Sequence, residues 1–155
     1  MIEKQELETI IPHRGKMLLL SRVNSYDLEK RTLSAEYHIS DDCIFFDPSL
    51  GGVPSWVGFE FMAQAISALS GIRDRELGIK PRIGFILSIP TMQMDIPVFS
   101  PGSAVVVRVE EVDRTGMIYT FSTEAFLEGR KIMEGKLMVM EVNEDGFDKL
   151  VMENG

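Results

Sequence analysis

Glu60 is the only ionisable residue in a long apolar stretch, Trp56-Val57-Gly58-Phe59-Glu60-Phe61-Met62-Ala63-Gln64-Ala65-Ile66-Ser67-Ala68-Leu69-Ser70-Gly71-Ile72. Burying a carboxylate among such neighbours is costly unless it is paired or kept neutral by a raised pKa. Gln64 follows one helical turn later, so the two polar side chains share a face. A carboxyl and an amide on one stripe of an apolar helix predict a site with apolar walls, in which Glu60 is buried and neutral and can hand over a proton. The plainer alternative is that Glu60 bonds a loop backbone and only orients the helix. Free backbone N–H groups at the start of this stretch suit a carbonyl or a developing enolate oxygen. Ser55, Trp56 and Val57 therefore join Gln64 as candidate substrate-binding residues. The chain has two histidines. His38 falls on the polar face of its strand and reads as a solvated or rim residue. His13 lies in the loop Pro12-His13-Arg14-Gly15, the kind of position where functional residues concentrate. Asp47 reads as a loop-turn carboxylate. No nucleotide-binding loop, zinc-ligand spacing, Ser-His-Asp arrangement or nucleic-acid signature is present, and neither a metal nor a cofactor is expected.

These residues need elements to hold them. Ser55 is a plausible N-cap for a helix over residues 56–72, apolar or small nearly all the way round and so buried on most sides. Before it, residues 3–9 predict a short helix that stops ahead of Pro12. Strands follow over 16–26 and 31–39, joined by a charged turn at 27–30, and residues 42–55 read as a loop. After the helix, residues 73–80 are charged and read as surface. Strands are then predicted over 82–88, 91–97, 103–112, 117–126 and 131–142, with Gly-containing turns between the last three. Residues 143–155 read as frayed. One buried helix against mostly antiparallel strands is an α+β architecture. A helix apolar on nearly every side needs the sheet to wrap around it, which is the hotdog arrangement.

A chain of 155 residues fits a single domain, expected over residues 1–155, with a core large enough to need no staples. A net charge of −8 argues against a general nucleic-acid or anionic-membrane surface. The single Cys43 cannot form an internal disulfide, and the acidic N-terminus lacks the apolar core of a signal peptide. No apolar run approaches the roughly 20 residues of a membrane span. A cytoplasmic location is expected.

Several segments together carry a family resemblance. The opening Pro12-His13-Arg14, with Leu18-Leu19-Leu20-Ser21-Arg22-Val23, resembles that of the 3-hydroxyacyl-ACP dehydratases of fatty-acid synthesis. Cys43-Ile44-Phe45-Phe46 resembles their double-Phe segment, and Val53-Pro54 followed by Glu60-Phe61-Met62-Ala63-Gln64 resembles their active-site helix. Pro12-His13-Arg14-Gly15, the helix itself and Pro81-Arg82-Ile83-Gly84-Phe85 look more closely like a dehydratase-like group of aryl-polyene biosynthesis clusters. The resemblance covers roughly residues 6–142. It implies a hotdog homodimer or higher oligomer that dehydrates 3-hydroxyacyl thioesters carried on an acyl carrier protein, or on CoA.

One departure is large. The fatty-acid enzymes carry a catalytic His in a Gly-His-Phe motif between the double Phe and the proline. Here that interval is Asp47-Pro48-Ser49-Leu50-Gly51-Gly52-Val53, shorter and without His, and Ser55 replaces the glycine at the helix start. In that family the counterpart of His13 accompanies the catalytic His. The readings open are therefore a dehydratase with His13 as base and Glu60 as acid, a thioesterase in which Glu60 activates water, or a non-catalytic subunit that holds acyl thioesters. Arg14, Arg22, Arg73, Arg75, Lys80 and Arg82 are available to dock an acidic carrier or a pantetheine phosphate.

Overall fold

The structure, a computed structural model, describes residues 1–80 and 82–142, and the backbone but not the side chain of residue 83. The segment expected to fray, 143–155, lies outside the described residues. The elements run β1 (Ile2–Glu3), α1 (Lys4–Leu7), β2 (Arg22–Asp27), β3 (Thr32–His38), β4 (Val53–Pro54), α2 (Gly58–Glu76), β5 (Ile83–Met94), β6 (Val98–Phe99), β7 (Ala104–Thr115), β8 (Ile118–Leu127) and β9 (Arg130–Val142). Seven strands form one antiparallel sheet in the order β1-β2-β3-β7-β8-β9-β5, and β4 pairs with β6 separately.

Alternation on the sheet builds the core. Val105, Val107 and Val109 of β7, Tyr119, Phe121 and Ala125 of β8, and Leu137 and Val139 of β9 point inward against α2. On α2, Phe61, Met62, Ala65, Ala68, Leu69 and Ile72 are buried, so the helix is covered on most sides. Its partly exposed stripe holds Glu60, Ala63 and Ser67. This is the hotdog arrangement, with the one open face of the helix bearing the carboxylate.

Four expectations change. Residues 16–26 do not form one strand. Gly15–Met17 is a single 3₁₀ turn, and Leu18, Leu19 and Leu20 are buried without a strand neighbour, because a helix side chain takes up part of their backbone bonding. The helix starts with a 3₁₀ turn at Ser55–Val57, which Ser55 does not cap. It runs on to Glu76, and the segment read as charged surface contains Asp74, which is fully buried. The two strands expected at 82–88 and 91–97 are one long strand, β5, with register shifts near Ser88. Pro90 is tolerated inside it because, among the described residues, β5 is the last strand of the sheet and its outer edge has no ladder bond to lose.

Candidate active site

The chemistry gathers where the loop after α1 meets the first turns of α2. Gln64 is fully buried and ties the two together. Its Oε1 accepts from the Leu19 N–H at 2.8 Å, and its Nε2 donates to the Met17 carbonyl at 2.8 Å and to Glu60 Oε1 at 3.4 Å. Both ends of the amide are occupied, so Gln64 positions the loop and Glu60. Replacing it with leucine would leave the buried Leu19 N–H unpaired, at about 1–3 kcal/mol, and strip the partly buried Met17 carbonyl of its donor. Gln64→Leu is expected to lower stability by roughly 2–4 kcal/mol, read as a shift in the urea midpoint without a change in slope.

The loop is braced on both sides of His13. The Arg14 guanidinium donates to the carbonyls of Ile11 at 2.6 Å and of His13 at 2.7 Å. Gly71 of α2 lies so close to the Ile10 backbone that a Cβ there would force the loop aside. His13 Nε2 thus comes to 3.9 Å from Glu60 Oε1, well inside the ~10 Å that one acyl skeleton must bridge. His13 Nδ1 is buried and has no hydrogen-bond partner among the described residues. Burial lowers the His13 pKa below its ordinary 6.5; Glu60 opposes this and Arg14 adds to it. The ring is therefore neutral near pH 7, the form that can accept a proton.

The pair opens into a groove of about 350 Å³ between α2 and β5, lined by Ala63, Ile66, Ser67, Gly84, Ile86 and Val139. Glu60 is not buried as expected: because it faces this groove, 27% of its side chain stays exposed. A larger depression of about 440 Å³ on the sheet, between Tyr26, Ser34, Arg108 and Glu124, contains no imidazole and lies among other residues altogether.

The remaining candidates fall elsewhere. Ser55, Trp56 and Val57 do not line the groove. The Ser55 N–H is already taken by the Pro97 carbonyl at 3.0 Å, and its hydroxyl lies 3.7 Å from Met94 Sδ. Trp56 is half exposed, set between Phe45 and Phe59, and Val57 is buried in the core. Asp47 closes its own turn by accepting from the Ser49 N–H and hydroxyl. His38 is exposed and bonds Glu36 at 3.0 Å. Five of the six basic residues considered for carrier docking are engaged inside the chain: Arg14 as above, Arg22 with Glu36, Arg73 with Glu141, Arg75 with Glu6 and Arg82 with Asp74. The groove's far wall was missed. Ala63, Ser67 and Ser70 follow Glu60 at spacings of three, four and three, a small-residue stripe that marks an open helix face.

Residues 5–151 match the ApeP-like family, described as ApeP dehydratase. The chain belongs to the ApeP-like family. It is 31% identical over 139 residues to the 3-hydroxyacyl-[acyl-carrier-protein] dehydratase FabZ of Erythrobacter litoralis, covering 88% of this chain and 90% of that protein. It is 28% identical over 150 residues to the FabZ of a Nitratiruptor species, covering 92% and 99%. Among solved structures, a chain of the dehydratase heterocomplex ApeI:P from Xenorhabdus doucetiae superposes with a TM-score of 0.85 at 23% identity, covering 94% of this chain and 96% of that one. At that identity the likeness is one of fold, and it gives this ApeP-like chain the hotdog architecture over nearly its whole length.

Proposed function

We propose that this chain, one hotdog domain over residues 1–155, dehydrates 3-hydroxyacyl thioesters on an acyl carrier protein to trans-2-enoyl thioesters. The observation that carries the reading is the His13–Glu60 pair, 3.9 Å apart at a largely apolar groove. Neutral His13 takes the α-proton through Nε2. The C2–C3 double bond forms as the C3–O bond breaks, and Glu60 protonates the departing oxygen so that water leaves. The pair then holds an imidazolium and a carboxylate, and one proton passed between them restores both. Incubation with a carrier-linked 3-hydroxyacyl chain should yield the conjugated enoyl thioester with the carrier still attached. Release of free acid and thiol would instead identify a thioesterase.

Assembly as a homodimer or higher oligomer in the cytoplasm is part of the proposal. The outer edge of β5 pairs with no described strand, and Ile86, Leu87 and Ile89 on it are exposed, an edge that soluble proteins cover. Gly84 and Ile86 also line the groove, which would set the site at the subunit interface. The loop 47–52, closed on itself by the Asp47–Gly52 pair and lacking an imidazole, favours a second reading: a subunit beside another dehydratase that supplies the base. Turnover by the purified chain alone separates the two.

A pH profile follows from the lowered His13 pKa. The base works only when neutral, and its folded pKa lies below 6.5. Falling pH should therefore remove kcat/KM with a midpoint below 6.5. An acidic limb at or above 6.5 would exclude His13 as the base.

A further inference from the structure

Away from His13 and Glu60, the groove changes character and then ends. It follows the open stripe of α2 through Ala63 and Ser67 to Ser70, with β5 on the other side. The Ser67 hydroxyl makes no hydrogen bond among the described residues. At Ser70 an ionic cluster crosses the path. The Ser70 hydroxyl donates to Glu141 Oε1, Arg73 holds Glu141 Oε2 at 2.7 Å, and Arg82 Nε lies 3.9 Å from the same oxygen. Arg82 is fixed in turn by Asp74, through its guanidinium at 2.8 Å and its own N–H at 3.1 Å. Asp74 is 0% and Glu141 4% exposed, so an alkyl chain cannot push either aside without stripping a buried charge of its partner. Behind Ser70 and Arg73, the described residues leave a void of about 60 Å³ among Leu28, Leu69, Phe121, Arg31, Glu111 and Arg114. It is too small to extend the path by more than about two or three methylenes, and Arg73 and Ser70 stand between it and the groove.

We infer that the Ser70–Arg82–Glu141 cluster is an end stop that limits the length of the acyl chain. The inference rests on reading the groove as the acyl site with C3 at Glu60. Ser70 lies about 15 Å along the helix axis from Glu60, at 1.5 Å per residue. An extended chain advances about 1.25 Å per bond, as three bonds span 3.8 Å between successive Cα atoms. The methyl end therefore meets the cluster about twelve bonds beyond C3, near a fifteen-carbon chain. Chains up to that length are accepted and longer aliphatic ones are refused.

The test measures how the assembled protein binds carrier protein loaded with saturated acyl chains of increasing length, so that turnover is not needed. Affinity should rise roughly fourfold per added methylene while the groove fills. It should then fall at least about tenfold within a few carbons of the stop, the usual penalty for an overfilled apolar pocket. Ser67→Leu, or Ser67→Met as a second filling of the same space, blocks the groove about 4.5 Å earlier and should shorten the limit by three or four carbons. Affinity that climbs without a break past about twenty carbons, or a limit unmoved in both variants, overturns the end stop. The two readings fail separately: a length limit without enoyl formation sinks the dehydratase reading, and enoyl formation without a limit sinks the end stop.

Discussion

His13→Ala is expected to lower kcat/KM for a carrier-linked 3-hydroxyacyl substrate by about 10²- to 10⁴-fold, the range a positioned general base supplies. The fold should tolerate the change. His13 Nδ1 is buried without a partner among the described residues, and Nε2 faces the groove with Glu60 at 3.9 Å. The ring therefore makes no hydrogen bond on which the loop depends. That loop is held by Arg14 on the Ile11 and His13 carbonyls, by Gln64 on Leu19 and Met17, and by the close approach of Gly71 to Ile10. A buried polar atom left unpaired is a stability cost that a structural histidine does not carry. Thermal unfolding of His13→Ala should match the parent to within a few degrees while enoyl formation is lost. Normal turnover by this variant would remove His13 from the mechanism and leave the base to a second subunit.

The two ends of the site differed in how far the sequence revealed them. Glu60 and Gln64 were legible because a single charge in an apolar helix is anomalous and the four-residue spacing places both side chains on one face. His13 was legible by composition, since only one other imidazole exists and strand alternation assigned that one to the polar face. The far end was not legible. Asp74 fell in a segment read as surface, Arg82 among charges available for docking and Glu141 inside a predicted strand, because nothing local reveals a partner across the fold. Arg73 and Glu141 are 68 residues apart and meet only because β9 and α2 pack together. The same cause hid the true form of residues 18–20: three leucines read as strand, yet the Leu19 N–H bonds a glutamine 45 residues away. Strand boundaries on β7, β8 and β9 came close because alternation is a local signal. β5 was split in two because Pro90 reads as a break, and only its place at the sheet edge makes the proline harmless.

Glu60→Gln should cost as much activity as His13→Ala, about 10²- to 10⁴-fold in kcat, by removing the acid that protonates the departing hydroxyl. The substitution preserves shape, and the amide oxygen can still accept from Gln64, now at 3.4 Å from Glu60. Stability should be preserved to within about 0.5 kcal/mol, as for a partly exposed side chain whose contacts persist. If the two residues pass one proton between them, their losses are not additive. The double variant His13→Ala/Glu60→Gln should then be little worse than either single one. A structural role for Glu60 would not move one further quantity. The Glu60 carboxylate opposes the lowering of the His13 pKa, so its removal should let that pKa fall further. NMR titration of the imidazole in Glu60→Gln should place its midpoint at a lower pH than in the parent protein. A midpoint that stays put or rises would mean that the carboxylate and the ring do not share a field, and the proton exchange proposed between them could not occur.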